Sequence, residues 1–247
     1  MRPSTFKLSE TAGKRAVSIP ALEKYGATAK ISTRDFDSAS GFLLHMNIDP
    51  GSAVMAEQVH GANIRVVDKE DLGSGTLRSP IKSCDALITN KTHIPLVIRT
   101  ADCIPLFILD PVKRAVALVH IGWKGGTLKI AEKTLKRMIE AFDISPSNCI
   151  IVAGPHIGKD CYEVDGKVID PLKKNFKDHG QYIKPKGDGH WYLDLLALNI
   201  GQLKELGVKE SNIHHGSYCT HCKTDMFYSY RKEGEKAGRI FSVIMLK

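Results

Sequence analysis

Two seven-residue apolar runs, IPLFILD (104–110) and AVALVHI (115–121), are separated by only four residues, PVKR. Each run is short, apolar and rich in β-branched residues, which reads as a strand. Asp110-Pro111 starts a turn, so the runs are expected to close as a hairpin about residues 111–113. Opposed residues then carry numbers that sum to roughly 222–225, and in an antiparallel pair they share a face with Cβ atoms about 4.5–5.5 Å apart. Cys103 therefore falls opposite the window 119–122, which contains His120. A slip of one residue would send the two to opposite faces. A thiol and an imidazole at the open end of a hairpin, followed by the turn GWKGG (122–126), form a site rather than a core pair.

QVHG (58–61) places a second histidine, His60, at the end of an expected strand. His60, Cys103 and His120 make a three-ligand set for zinc with the fourth position open. That is the catalytic arrangement, whereas structural sites are closed by four protein ligands. Thiolate with imidazoles also suits copper. A metal-free alternative uses Cys103 as nucleophile and His120 as base in a cysteine hydrolase.

The rest of the chain mixes strands and helices. IPLVIRT (94–100), CIIVAG (149–154) and GRIFSVIML (238–246) read as further strands. TLKIAEKTLKRMIEAF (127–142) reads as an amphipathic helix capped by Thr127, with Leu128, Ala131, Leu135, Met138 and Phe142 on its apolar face. Asp170-Pro171 reads as a helix start with Pro at the first helical position. LDLLALNIGQLKELG (193–207) reads as a helix from Asp194 that stops at Gly207. Strands follow one another as often as they alternate with helices. The expected fold is α+β, a mixed β-sheet core with flanking helices, in a single domain over 1–247.

Composition narrows the function classes. The chain carries a formal net charge of +8, but its lysines are scattered among acids, with no nucleic-acid recognition motif. A solvated basic surface is expected, with some attraction for anionic small molecules such as phosphate, and no nucleic-acid partner. MRPSTFKLSETAGKR has no apolar segment of a secretory signal, and no apolar run is long enough for a membrane span. Six cysteines at irregular spacings then read as reduced thiols in a cytoplasmic protein.

QVHG, CDALIT (84–89), TADCIPL (100–106), HIGWKGG (120–126), GPHIGKDCYEV (154–164) and CTHC…FYSYRKEG (219–234) occur in this order. Together they resemble the bacterial laccase-domain family, once called multicopper polyphenol oxidases and now regarded as purine nucleoside phosphorylases. The match runs from about Ser32 to the C-terminus. The resemblance implies phosphorolysis of adenosine, inosine and methylthioadenosine, with adenosine deamination as a second activity. It also implies metal ligation by His60, Cys103 and His120, the set reached above from spacing. The older oxidase label predicts many histidines in His-x-His pairs. This chain has ten histidines and no such pair, His214-His215 being the nearest. A copper-dependent phenol oxidase and a purine-binding protein without turnover stay open as rivals.

Within that frame Asp102 is a candidate catalytic acid/base or an acceptor behind the metal. Lys124, Gly125 and Gly126 are candidate phosphate ligands at a helix start, and Arg34 and Arg231 are candidate phosphate or ribose ligands. Cys161, Tyr162 and Glu163 could line the pocket. Cys219-x-x-Cys222 has no second such pair, which excludes a ribbon built from two; thiols buried near the site are expected. The chain departs from the family at Lys124 and Lys232, where arginines are usual; lysine offers phosphate a point charge rather than a bidentate fork. STRDFDSASG lacks the usual paired glycines, and a short segment from Asn47 to Gln58 lacks a helix. The last two changes bear on the N-terminal wall of the pocket.

Overall fold

The computed structural model describes residues 5–247; the first four residues of the segment read for a secretory signal lie outside them. The hairpin is the centre of the molecule. Ile104–Asp110 pairs antiparallel with Ala115–Ile121, and opposed residues sum to 225, from Ile104 with Ile121 to Asp110 with Ala115. Asp110 shapes the turn: its Oδ1 accepts the backbone N–H groups of Val112 (2.7 Å) and Lys113 (3.1 Å).

Every residue of both strands is buried. Such a strand needs cover on both faces, and the fold supplies it. The hairpin sits inside a six-stranded mixed sheet ordered Ile213–His215, Ile150–Ala153, Ile104–Asp110, Ala115–Ile121, Ala86–Thr89, Ile64–Val66. One face, through Phe107, Leu109, Val116 and Leu118, packs on a second six-stranded sheet, meeting Ile31, Leu96, Ile98 and Ile244. The other face, through Ile108, Ala117, Val119 and Ile121, packs on Leu135 and Met138 of one helix and Leu198 and Leu203 of another. The second sheet runs Lys7–Thr11, Lys14–Ser18, Ala27–Ser32, Ile240–Leu246, Leu96–Thr100, Val54–Met55. Its outer face is closed by Phe42 and Leu43 of the Ala39–His45 helix, against Val97 and Val243. A three-stranded sheet of Glu163–Val164, His190–Leu193 and Ile183–Gly187 stands beside these layers. The α+β architecture with mixed sheets and flanking helices is as expected.

Two expected helices and the ends of three expected strands differ. The helix expected over 127–142 is two: Trp123–Thr127 and Ile130–Phe142, divided at Lys129, whose φ is +61°. Thr127 ends the first piece, its hydroxyl donating to the Lys124 carbonyl. Leu128, at 45% exposure, has left the apolar face that Ala131, Leu135 and Met138 keep. The helix expected to start at Asp170-Pro171 begins at Gly166, and Asp165 caps it by accepting from the Lys167 N–H. Pro171 lies inside that helix; burial of Val168, Ile169 and Leu172 on one face outweighs the lost hydrogen bond. Strand ends are trimmed, to Leu96–Thr100, Ile150–Ala153 and Ile240–Leu246. Leu195–Glu205 is capped by Asp194, which accepts the Ala197 N–H, and the chain leaves it through Gly207 at φ +94°. All six cysteines are free. Among the described residues no helix is long and apolar enough to cross a membrane.

Candidate metal centre

Alternation along the hairpin decides which way the site faces. Val116 and Leu118 point toward the second sheet, and His120 shares their parity. His120 lies opposite Pro105, so Cys103 is its diagonal neighbour on the same face, two residues off direct opposition. Both stand where the hairpin opens. The ligating atoms of His60, Cys103 and His120 lie within 4.8 Å of one another. The two imidazole rings meet edge to face, 4.8 Å between centroids. His120 is buried, Cys103 half-buried and His60 exposed, so the set opens on one side.

His60 is not at a strand end as expected. The strand stops at Met55, and a loop follows in which Gln58 and His60 adopt φ of +64° and +59°. Two devices hold that loop. The Gln58 amide pairs with the backbone of Arg99, its Nε2 donating to the carbonyl at 2.6 Å and its Oε1 accepting the N–H at 2.9 Å. The second device is Asp85, fully buried one residue before the Ala86–Thr89 strand. Its Oδ1 accepts the His60 N–H (2.9 Å), and its Oδ2 accepts those of Val59 (3.2 Å) and Gly61 (2.8 Å). Three successive N–H groups thus wrap one carboxylate, a backbone anion nest.

Oδ1 also accepts Nδ1–H of His120 at 2.8 Å. That bond fixes the ring's tautomer and leaves Nε2 for a metal, the carboxylate–histidine arrangement of metal sites. Burial would raise the Asp85 carboxyl, but His120 and the N–H groups outweigh it and hold it below the ordinary range. Burial lowers the His120 imidazole, but Asp85 and Cys103 outweigh it and lift it to about 9. Burial raises the Cys103 thiol, but the two histidines outweigh it and hold it down at about 6. Near neutral pH the sulfur is therefore a thiolate, the form that both binds metal and attacks electrophiles.

Gly122 tests whether the three side chains fit a metal. A Cβ there would lie 2.5 Å from Nδ1 of His60 and 3.2 Å from Sγ of Cys103. The glycine leaves open the space on which two of the ligands converge. Gly122→Ala is expected to displace the His60 ring and weaken metal binding by about 10-fold or more, with the fold retained. Equilibrium metal titration checks this; unchanged affinity would mean that the space beside Gly122 is not the metal's.

The site opens on a cavity of about 1050 Å³. Trp123, Tyr162 and Tyr230 give it aromatic walls, and Arg99, Arg231 and Arg239 give it positive charge. Tyr162 and Glu163 line it as expected, whereas Cys161 does not; Arg231 also lines it, its guanidinium 5.6 Å from the Tyr162 ring centroid.

Other expected site residues lie elsewhere or do other work. Arg34 is outside the cavity lining; it donates to the Thr224 carbonyl, pairs with Glu233 at 2.9 Å and stacks on Tyr228. Lys124 is exposed, outside the lining, with its ammonium over Trp123. Gly125 and Gly126 are buried packing positions: a Cβ would meet the Gly61 carbonyl at 2.9 Å and the Leu195 side chain at 2.9 Å respectively. The Gly126 N–H is already donated to the Gly122 carbonyl, so of the two glycines expected to offer free N–H groups this one is engaged. Asp102, buried at φ +84°, lines the cavity with both carboxylate oxygens engaged. Oδ1 accepts from the Thr220 hydroxyl at 2.6 Å and Oδ2 from the Arg231 N–H at 2.7 Å. It ties Arg231 to the cavity, while the acceptor behind the metal ligands is Asp85.

The family description "multi-copper polyphenol oxidoreductase laccase" matches residues 39–247. A Bacillus subtilis protein named purine nucleoside phosphorylase YlmD is 33% identical over 203 residues, covering 81% of this chain and 73% of the relative. A protein named adenosine deaminase RL5, from an unknown prokaryotic organism, is 29% identical over 217 residues, covering 87% and 82%. The crystal structure of YlmD from Geobacillus stearothermophilus superposes with a TM-score of 0.91 at 26% identity, covering 99% of this chain and all of that one.

Proposed function

The chain belongs to the multi-copper polyphenol oxidoreductase laccase family, and we propose that it is a zinc-dependent purine nucleoside phosphorylase with adenosine deamination as a second activity. The observation that carries the reading is the His60, Cys103 and His120 set at the mouth of a cavity with arginines and aromatic rings. The family implies a metal-dependent enzyme, and relatives at about this similarity are named for both reactions. The donor set suits zinc.

When bound, the metal supplies a Lewis acid beside the cavity. The chain supplies the rest. Asp85 keeps the Nδ1 proton on His120 and holds the His60 loop. Trp123, Tyr162 and Tyr230 offer faces on which a purine stacks. Burial raises the Tyr162 phenol, so its O–H stays a hydrogen-bond donor. Arg99, Arg231 and Arg239 hold phosphate, for which the guanidinium fork is suited. In the reaction a phosphate oxygen bonds to the anomeric carbon as that carbon's bond to the purine nitrogen breaks. Products are free base and ribose 1-phosphate. The cavity volume accommodates a nucleoside and phosphate together.

The test is incubation with adenosine or inosine, with and without phosphate, and chromatography of the products. Ribose 1-phosphate formed only with phosphate is expected. Free ribose would make the protein a hydrolase, and inosine as the sole product from adenosine would make it a deaminase. Two variants locate the anion. Arg231→Ala is expected to raise the KM for phosphate roughly 10- to 100-fold, the value of one charge-assisted hydrogen bond. Lys124→Ala, outside the cavity, is expected to leave it within about twofold. The reverse pattern would return the phosphate site to the Lys124 turn.

A further inference from the structure

A second set of potential ligands lies apart from the first. The sulfurs of Cys161, Cys219 and Cys222 are within 4.8 Å of one another, with Cys161 and Cys222 at 3.4 Å. They share no residue with the His60, Cys103 and His120 set. We propose that these three cysteines form a second metal site, which takes one soft d10 cation such as zinc through three thiolates.

The geometry suits that purpose. Sulfurs bound to one tetrahedral zinc at about 2.3 Å stand roughly 3.8 Å apart, so the observed spacings need only small adjustments. Cys161 comes from the loop after the Ile150–Ala153 strand, and Cys219 and Cys222 from the loop after Ile213–His215. The backbone already registers these loops: the His156 N–H donates to the Tyr218 carbonyl and the Thr220 N–H to that of His156. Inside the second loop the N–H groups of Cys222 and Lys223 both donate to the Cys219 carbonyl. This tight turn brings the two sulfurs of a Cys-x-x-Cys to one side. The Gly158 N–H donates to Sγ of Cys219 at 3.1 Å, a bond that favours the thiolate.

Packing does not account for the cluster. Thiols buried near the site were expected, yet Cys222 is exposed and the other two are only half-buried. Three sulfurs also cannot all be satisfied by one disulfide. A cation satisfies all three: three S–H protons leave as three metal–sulfur bonds form. No histidine or carboxylate joins the set among the described residues, so water or an external ligand takes a fourth position.

The site would clamp the cavity wall. Tyr162 follows Cys161, and Thr220 lies between the other two cysteines. The Thr220 hydroxyl donates to Asp102, which holds the Arg231 backbone. Closing the three thiolates on one ion therefore fixes an aromatic and a cationic wall residue from outside the cavity.

The experiment uses the full chain, reduced with a phosphine and kept anaerobic. Zinc per chain is measured after saturation and dialysis, and Co²⁺ is titrated into metal-free protein while thiolate-to-cobalt absorption is followed. The wild type is expected to hold two equivalents, with Cys222→Ser and His120→Ala holding one each. Charge-transfer absorption in the His120→Ala protein should be about threefold that in Cys222→Ser, three thiolates against one. Cys222 is exposed, so its serine variant should fold; an unchanged thermal midpoint in the metal-free proteins confirms it. One equivalent in the wild type with none in His120→Ala overturns the proposal. So does equal stoichiometry in wild type and Cys222→Ser.

Discussion

Cys103→Ala is expected to fold, to lose its metal and to lose turnover by roughly 10³-fold or more, since Lewis-acid stabilisation contributes several kcal/mol. Cys103 is the one anionic ligand of the three. Its removal leaves two imidazoles, one exposed, and no thiolate to select a thiophilic cation. The fold should tolerate the change, because Cys103 is half-buried at the sheet's open end and His120 keeps its bond to Asp85. Elemental analysis, the thermal midpoint and product formation read the three parts separately. Full metal retention would exclude Cys103 as a principal ligand. A cysteine hydrolase would also lose activity in this variant, so chelation of the wild type separates the two readings. The metal enzyme loses turnover on chelation and regains it with zinc. A nucleophile thiolate held at about 6 would act without metal.

The site was legible in the sequence where it depends on local pairing and dark where it depends on sheet order. The hairpin lies between two apolar runs joined by an Asp-Pro turn, and its register follows from the length of the connection. Cys103 and His120 consequently fall in phase on one face. Asp85 was not singled out, although it stands in the quoted CDALIT motif. It meets His120 only because Ala86–Thr89 pairs beside Ala115–Ile121, with Ala86 opposite Val119. Nothing in a single chain's alternation fixes that choice of neighbour. His60 was found by residue type but placed wrongly, since its loop is shaped by Gln58 and Asp85 rather than by a strand. Of the three cationic candidates, Arg231 lines the cavity and the other two do not. Arg34 and Lys124 stand near site motifs in sequence, yet Arg34 pairs with Glu233 and Lys124 lies exposed over Trp123, both outside the lining. Arg99 and Arg239 face the cavity from strand ends that only the assembled sheet brings there. The break at Lys129 was hidden by apolar spacing that runs unbroken from Leu128 to Phe142.

Asp85→Asn tests the part of the site that sequence did not reveal, and it should act on metal and fold together. The native carboxylate accepts four N–H donors, two at each oxygen: His60 and His120 at Oδ1, Val59 and Gly61 at Oδ2. An asparagine amide fills the same volume but keeps one oxygen. Whichever way it turns, its NH₂ group faces two donors, so the His60 loop or the His120 ring must move. Metal affinity is expected to fall about 10- to 100-fold, the usual effect of removing a partner behind a histidine ligand. Asp85→Ala should cost about 3–5 kcal/mol of stability, because it breaks a buried pair and leaves its partners unsatisfied. A structural role alone would predict the loss of stability but not a second effect, which the imidazole reports. In the metal-free native protein Asp85 and Cys103 lift His120 to about 9 against burial, which lowers it. Removing the carboxylate removes one lifting cause and leaves burial acting, so the His120 titration must move down. Proton NMR of the metal-free Asp85→Asn protein should find that midpoint below the native one. A midpoint unmoved from the native one, with native metal affinity, would show that Asp85 neither sets the His120 tautomer nor positions the metal ligands.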